Sequence, residues 1–135
     1  MRTIEQILRE SKIIAIVGLS PRPWRDSYQV GAYLKEHGYR VIPVNPAVAE
    51  VLGERCYPDL RSIPVQVDVV DIFRRAEEVP AIVEQAADTG ATVVWMQLGI
   101  VSQEAADEAR GRGMDVVMDR CIKTEHQALV SGESK

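Results

Sequence analysis

Ile13-Ile-Ala-Ile-Val17 is an unbroken apolar run in which only Ala15 lacks a β-branched side chain. A strand with one wet face alternates polar and apolar residues, whereas an unbroken run is covered on both sides, and in small domains that requires helices above and below a parallel sheet. The pattern returns at Val67-Asp-Val-Val-Asp-Ile-Phe73 and at Thr92-Val-Val-Trp-Met96, with helical periodicity between the runs. This repetition confines the chain to a doubly wound α/β architecture.

The remaining elements follow from their punctuation. Thr3 and Gln6 form a capping-box start for a short leading helix carrying Ile4, Ile7 and Leu8. Asp26 or Ser27 is expected to cap a second helix with Val30, Tyr33 and Leu34 on its apolar face, and Gly38 to close it in the left-handed conformation. A second strand is predicted from Tyr39 to Val44. Residues 45–64 hold three of the seven prolines and one brief extended candidate, Arg55 to Tyr57, which reads as a short edge strand. Pro80 suits a first helical turn ahead of the stripe Ile82, Val83, Ala86 and Ala87, with Gly90 as terminator. Ser102 is expected to cap a small-residue helix reaching about Arg110. A last strand over Asp115 to Met118 and a helix over Ile122 to Leu129 complete a single domain, residues 1–130, with 131–135 (SGESK) read as a disordered tail. The expected sheet order is 3-2-1-4-5-6, helices on both faces.

Function classes narrow quickly. A net charge of −4 argues against a partner with an extended phosphate backbone or an anionic membrane surface. No apolar run reaches the roughly 20 residues needed to cross a bilayer, and the N-terminus has no signal-peptide core, so a cytoplasmic location is expected. Cys56 and Cys121 lack disulfide-framework or zinc spacing, and with only His37 and His126 no histidine-rich metal site is expected.

In the expected order, the chain reverses direction between the first strand and the strand ending at Phe73, and ligands of such sheets bind beyond the strand ends at that point. Four segments would converge there. Gly18 allows a sharp turn, and the helix start beyond it presents free N–H groups to an anion, with Ser20, Arg22 and Arg25 as further donors. The competing reading is a loop stiffened by Pro21 and Pro23 with solvated arginines. Asn45-Pro46 stands where a dinucleotide fold places an acid on the ribose. That absence, with Ser20 and Pro23 replacing the second and third glycines, disfavours NAD, although an NAD(P)-binding regulatory protein stays open as an alternative. Phe73 and Arg74 suit an aromatic base and a phosphate, or else a core phenylalanine and a surface arginine. Leu98 can wall a cavity, while Trp95 reads as core. Cys121, near Arg120 and Lys123 at a helix start, is either a packed small side chain or a reactive thiol able to form a mixed disulfide.

The set Gly18-x-Ser20, Ser27-Tyr28-x-Val30, Gly38-Tyr39-x-Val41-x-Pro43-Val44-Asn45-Pro46, Val70-Asp71-Ile72-Phe73-Arg74 and Asp119-Arg120-Cys121-Ile122-Lys123 resembles the stand-alone CoA-binding domain proteins, which are similar to the N-terminal domain of the succinyl-CoA synthetase alpha subunit. The resemblance runs to about Leu129 and implies a Rossmann-like fold with coenzyme A, or an acyl-CoA, at the carboxyl ends of the strands. It implies phosphate at Gly18, Leu19, Ser20 and Arg25, adenosine beside Asn45 and Pro46, and the rest of the ligand beside Phe73, Arg74 and Leu98. A 3′-phosphate calls for arginines and not for an acid beside the ribose. Lacking the phosphohistidine and ATP-binding regions of the synthetase, the chain is expected to bind without catalysis of its own, with Cys121 forming a disulfide with CoA as the redox alternative.

Overall fold

The computed structural model describes residues 1–130, so the predicted tail lies outside the described residues. The elements are α1 (Ile4–Glu10), β1 (Ile13–Val17), α2 (Asp26–Glu36), β2 (Arg40–Val44), β3 (Glu50–Val51), β4 (Glu54–Arg55), β5 (Val69–Ile72), α3 (Val79–Asp88), β6 (Val93–Met96), α4 (Gln103–Gly111), β7 (Asp115–Val117) and α5 (Ile122–Leu129). Five strands form one parallel sheet in the order β2-β1-β5-β6-β7. The unbroken apolar runs are its central strands, as their composition requires.

Side chains alternate between two cores. Ala15, Val17, Ile42, Val70, Ile72, Val94 and Met96 pack under α3 and α4, which contribute Val83, Ala86, Ala105 and Ala109. Ile14, Ile16, Val41, Val69, Val93 and Trp95 pack under α1, α2 and α5 against Leu8, Val30, Leu34 and Ile122. Each fully buried Ile or Leu contributes about 1.5–3 kcal/mol, enough in sum to hold both helical layers on the sheet. Trp95, fully buried, is core as expected, and its indole donates to the Arg120 carbonyl at 2.7 Å.

The third strand of the expected order shrinks to one parallel bridge between Val44 and Tyr57, with Tyr57 N–H on the Pro43 carbonyl and Asn45 N–H on the Tyr57 carbonyl. Asp59, where the next ladder donor would stand, instead caps a 3-10 turn over Leu60–Ser62 that takes the chain out of the ladder. Residues Glu54 and Arg55 pair instead with Glu50 and Val51 in a separate antiparallel hairpin. Tyr39 lies outside β2 because its N–H closes the end of α2 on the Leu34 carbonyl, with Gly38 at φ +94° as expected. Asp68 precedes β5 and accepts from the N–H groups of Lys12 and Ile13 at 2.8 and 2.9 Å, a brace at the sheet's amino edge.

Neither Asp26 nor Ser27 caps α2. The N-cap position belongs to Arg25, which makes no side-chain cap, while Ser27 Oγ turns back to accept from Ser20 N–H at 3.0 Å. Ser102 caps α4 as predicted, accepting from Ala105 N–H. The chain reverses between β1 and β5, and the loops meet beyond their carboxyl ends.

Candidate functional site

Gly18 ends β1 at φ +91°, and a Cβ there would stand 2.8 Å from the Phe73 carbonyl oxygen and 3.1 Å from Arg74 Cδ. Only glycine permits both the left-handed turn and this approach of two loops. The loop beyond is braced from within, since Arg22 N–H bonds Ser20 Oγ at 3.1 Å and the Gln29 amide donates to the Pro23 carbonyl. It is also braced from β2, where the Asn45 amide donates to the Leu19 carbonyl at 3.1 Å and its oxygen accepts from Ala47 N–H. The result is a stiff turn leading to an uncapped helix start, with free N–H groups and the positive end of the helix dipole.

Three cavities adjoin along this edge. The middle one, about 520 Å³, is lined by Gly18, Ser20, Trp24, Arg25, Asp26, Ser27 and Phe73. It shares Gly18 with a cavity of about 310 Å³ floored by Val17, Val44, Asn45, Pro46 and Pro58 and walled by Arg74, Glu78 and Ile82. On its other side, across Asp26 and Phe73, lies a cavity of about 450 Å³ reaching Val30, Gln97, Leu98, Cys121 and Thr124. Each is of ligand-site size. An extended molecule laid across all three would meet an apolar chamber first, then a polar turn with a helix start, then a long chamber ending at a thiol.

The thiol end is built by two loops that hold each other, since Gly99 N–H donates to Asp119 Oδ1 at 2.7 Å. The Gln97 side chain is buried, and its oxygen accepts from Ile122 N–H at 3.0 Å, fixing the start of α5. Cys121 occupies the N-cap of that helix, half-buried at the end of the groove. Burial pushes its thiol up, but hydrogen bonds from the backbone and side chain of Thr124, the side chain of Gln97 and the backbone of Lys123 outweigh it, leaving the pKa below the ordinary value. Hydrogen bonds at the helix start, more than the neighbouring cations, make this thiol acidic. Cys56 is buried, and desolvation with the nearby Glu50 charge raises its thiol instead.

Of the residues singled out in the sequence, Gly18, Ser20, Arg25, Asn45, Pro46, Phe73, Arg74 and Leu98 line the groove. Leu19 and Arg22 do not. Leu19 is fully buried in the core under α2, offering only its carbonyl to Asn45, and Arg22 is exposed on the outside of the bend. Arg74 is held by Glu78 at 2.7 Å, and the arginine lowers the Glu78 carboxyl. Cys121 lines the groove and also packs, half-buried, against the core beneath α2 and α5. His126, one turn further along α5, is buried with Nδ1 2.8 Å from the Tyr33 hydroxyl, away from the thiol. Sequence reasoning missed Trp24, Asp26, Gln29, Glu78 and Thr124. Trp24 carried a usable signal, because a tryptophan in a proline-rich loop has no core to enter, and it is indeed exposed. Among the described residues no group of three His, Cys, Asp or Glu side chains is placed to hold a metal ion, and no helix is long and apolar enough to cross a membrane.

The model of a family described as a CoA binding domain matches residues 12–127. An uncharacterized protein of Bacillus subtilis, YneT, is 43% identical over 123 residues, 91% of each chain. ADP-forming acetate–CoA ligase I of Archaeoglobus fulgidus is 30% identical over 121 residues, 82% of this chain but 18% of the ligase. A solved structure of a hypothetical protein from Pyrococcus horikoshii superposes with a TM-score of 0.92 at 45% identity, covering 95% of this chain and 90% of the other.

Proposed function

Because the chain belongs to the CoA binding domain family, we propose that it holds coenzyme A or a short acyl-CoA along the three-chambered groove, as a binding module without catalysis of its own. The adenosine lies in the chamber of Asn45, Pro46 and Ile82. The pyrophosphate rests on the Gly18–Ser20 turn with Arg25 and the free N–H groups of α2. The pantetheine arm runs past Phe73 and Leu98 toward Cys121. The observation that carries this reading is the uncapped start of α2 opening, beside Gly18, onto the middle of an elongated groove. An anion there gains both hydrogen bonds and the helix dipole. The ligase relative carries the matched segment as less than a fifth of its length, so its reaction is not carried over.

Titration calorimetry with CoA, dephospho-CoA and NAD tests the reading. CoA should bind most tightly, dephospho-CoA about tenfold more weakly through loss of one charge-assisted contact to an arginine, and NAD weakest. Equal affinities would sink the proposal, and preference for NAD would favour the regulatory NAD(P)-binding alternative.

A second reading has one specific observation behind it, the acidic Cys121 thiol at the groove's far end. Its thiolate attacks a sulfur of CoA disulfide, forming a Cys121–S–S–CoA bond and releasing the other CoA as thiolate. Intact mass after incubation with CoA disulfide should rise by one CoA. A Cys121→Ser variant that gains the same mass would rule the site out.

A further inference from the structure

Trp24 is 74% exposed and belongs to neither core, and among the described residues its indole has no hydrogen-bond or ring partner. A scattered exposed apolar side chain needs no explanation, but this one is held in place. Pro21 and Pro23 restrict the backbone ahead of it. Arg25 N–H closes a turn around it on the Arg22 carbonyl at 3.0 Å, and the Gln29 amide ties the Pro23 carbonyl to α2. The turn sets Trp24 in the lining of the middle chamber, about 520 Å³, which half-buried Phe73 also lines from the end of β5. The other side chains there, Ser20, Arg25, Asp26 and Ser27, are polar. Two aromatic side chains in an otherwise polar chamber suit a ligand that carries a compact apolar group close to its charge.

We propose that Trp24 and Phe73 clasp the branched alkyl carbon that follows the pyrophosphate in a pantetheine nucleotide. Trp24 thereby sets a preference for such ligands over nucleotides that lack this carbon. The inference rests on the CoA reading and names the part of that ligand recognised at the groove's centre. Order along the groove supplies the reason. Gly18 is shared with the chamber assigned to the adenosine, and Phe73 with the chamber assigned to the arm. With the pyrophosphate at the start of α2, the atoms between Gly18 and the arm's chamber are those just beyond the second phosphate. In a pantetheine nucleotide these are a methylene and a quaternary carbon bearing two methyl groups. A dinucleotide places a second ribose there, whose hydroxyls would lose water against an indole face. Covering two methyl groups is worth about tenfold in affinity. Little of that gain is lost to ordering the protein, because the turn carrying Trp24 is already fixed.

Phe73 also packs against the core beneath α2 and α5, whereas Trp24 can be changed without touching either core. Calorimetry therefore compares the parent with Trp24→Ala and Trp24→Phe. The two ligands are CoA and adenosine 3′,5′-bisphosphate, which has the nucleotide end of CoA and no arm. Trp24→Ala should weaken CoA about tenfold and leave the bisphosphate within about twofold, and Trp24→Phe should recover most of the loss. Tryptophan fluorescence reads the contact itself. The chain has two tryptophans, Trp95 fully buried and Trp24 exposed, so subtracting the Trp24→Phe spectrum from the parent's isolates Trp24. CoA should shift that emission to the blue as the indole is covered, and the bisphosphate should leave it unchanged. Equal losses for both ligands in Trp24→Ala, or a CoA affinity within about twofold of the parent's, would overturn the inference. So would the same spectral change with the bisphosphate, which would put the base and not the arm against the indole. The parent's own titration separates this from the CoA reading: no binding of CoA removes both, while CoA binding with an inert Trp24 removes this inference alone.

Discussion

α1 and α4 begin differently from α2 and α5. α1 and α4 close their own first turns, with Thr3 and Gln6 exchanging hydrogen bonds at 3.2 and 2.8 Å and Ser102 accepting from Ala105 N–H at 3.2 Å. α2 begins at Arg25, which makes no side-chain cap, and α5 begins at Cys121, whose sulfur takes the Thr124 and Lys123 N–H groups, and both starts open onto the groove. Helix starts away from the groove are satisfied from within, while those at the groove keep their donors and positive potential for something else. At α2 that is proposed to be a phosphate, and at α5 it is the chain's own sulfur.

The severest way to break this contrast is to close the groove at its middle. Gly18→Val places a branched side chain at φ +91° against the Phe73 carbonyl. A loss of about 3 kcal/mol in urea unfolding is expected, together with loss of CoA binding in calorimetry. Arg25→Asp sharpens the contrast more selectively, because it converts an open start into a capped one. Stability should rise by about 1 kcal/mol, as for any good N-cap, while CoA affinity falls at least tenfold on losing a charge-assisted donor and gaining a repelling carboxylate. If both quantities move the same way, the opposition between capping and binding is wrong. At a closed helix, Ser102→Ala should cost about 1 kcal/mol on thermal unfolding and leave the CoA dissociation constant within about twofold, since no groove contact passes through that cap.

The smallest effect concerns the far end of α5. The helix dipole favours a cation in the last turn, yet His126 is buried against Tyr33, and desolvation with the His37 charge lowers its pKa below that of an ordinary imidazole. The unfolded imidazole therefore takes up a proton at a higher pH than the folded one. Its contribution to stability is complete above about pH 6.5 and is lost as pH falls through that value toward the folded pKa. Thermal midpoints at pH 7.5 and 5.5 should differ by less in His126→Gln than in the parent. An identical difference would show that other groups govern the acid limb.

Much of the fold was legible because its causes are local. Unbroken β-branched runs require cover on both faces, and Gly38, Pro80 and Ser102 act within a few residues of where they stand. The edge strand was misjudged because the ladder ends after one bridge, where Asp59 turns the chain into a short 3-10 segment. At the site, Gly18, Ser20 and Arg25 were legible as residues of the turn that lines the groove, but Leu19 and Arg22 beside them were not separable from them. A loop's sequence does not say which side chain turns inward, and that is decided by the space Gly31 leaves under α2, where a side-chain carbon of Leu19 comes within 3.3 Å of a built Cβ. Cys121 was legible as a thiol at a helix start near the predicted pocket, and the structure puts it in the lining of the groove.

By itself, then, the sequence determined the strands, the helices and their parallel stacking, since hydrophobic periodicity and capping chemistry act over a few residues. Only the tertiary structure decided that the starts of α2 and α5, from distant parts of the chain, converge on one groove. It also decided that Asp71, a polar residue within an apolar run, is fully buried between Ile16 and Trp95 with neither carboxyl oxygen hydrogen-bonded. Register between β1, β5 and β6 sets that arrangement, and register is a property of the assembled sheet and not of any one strand.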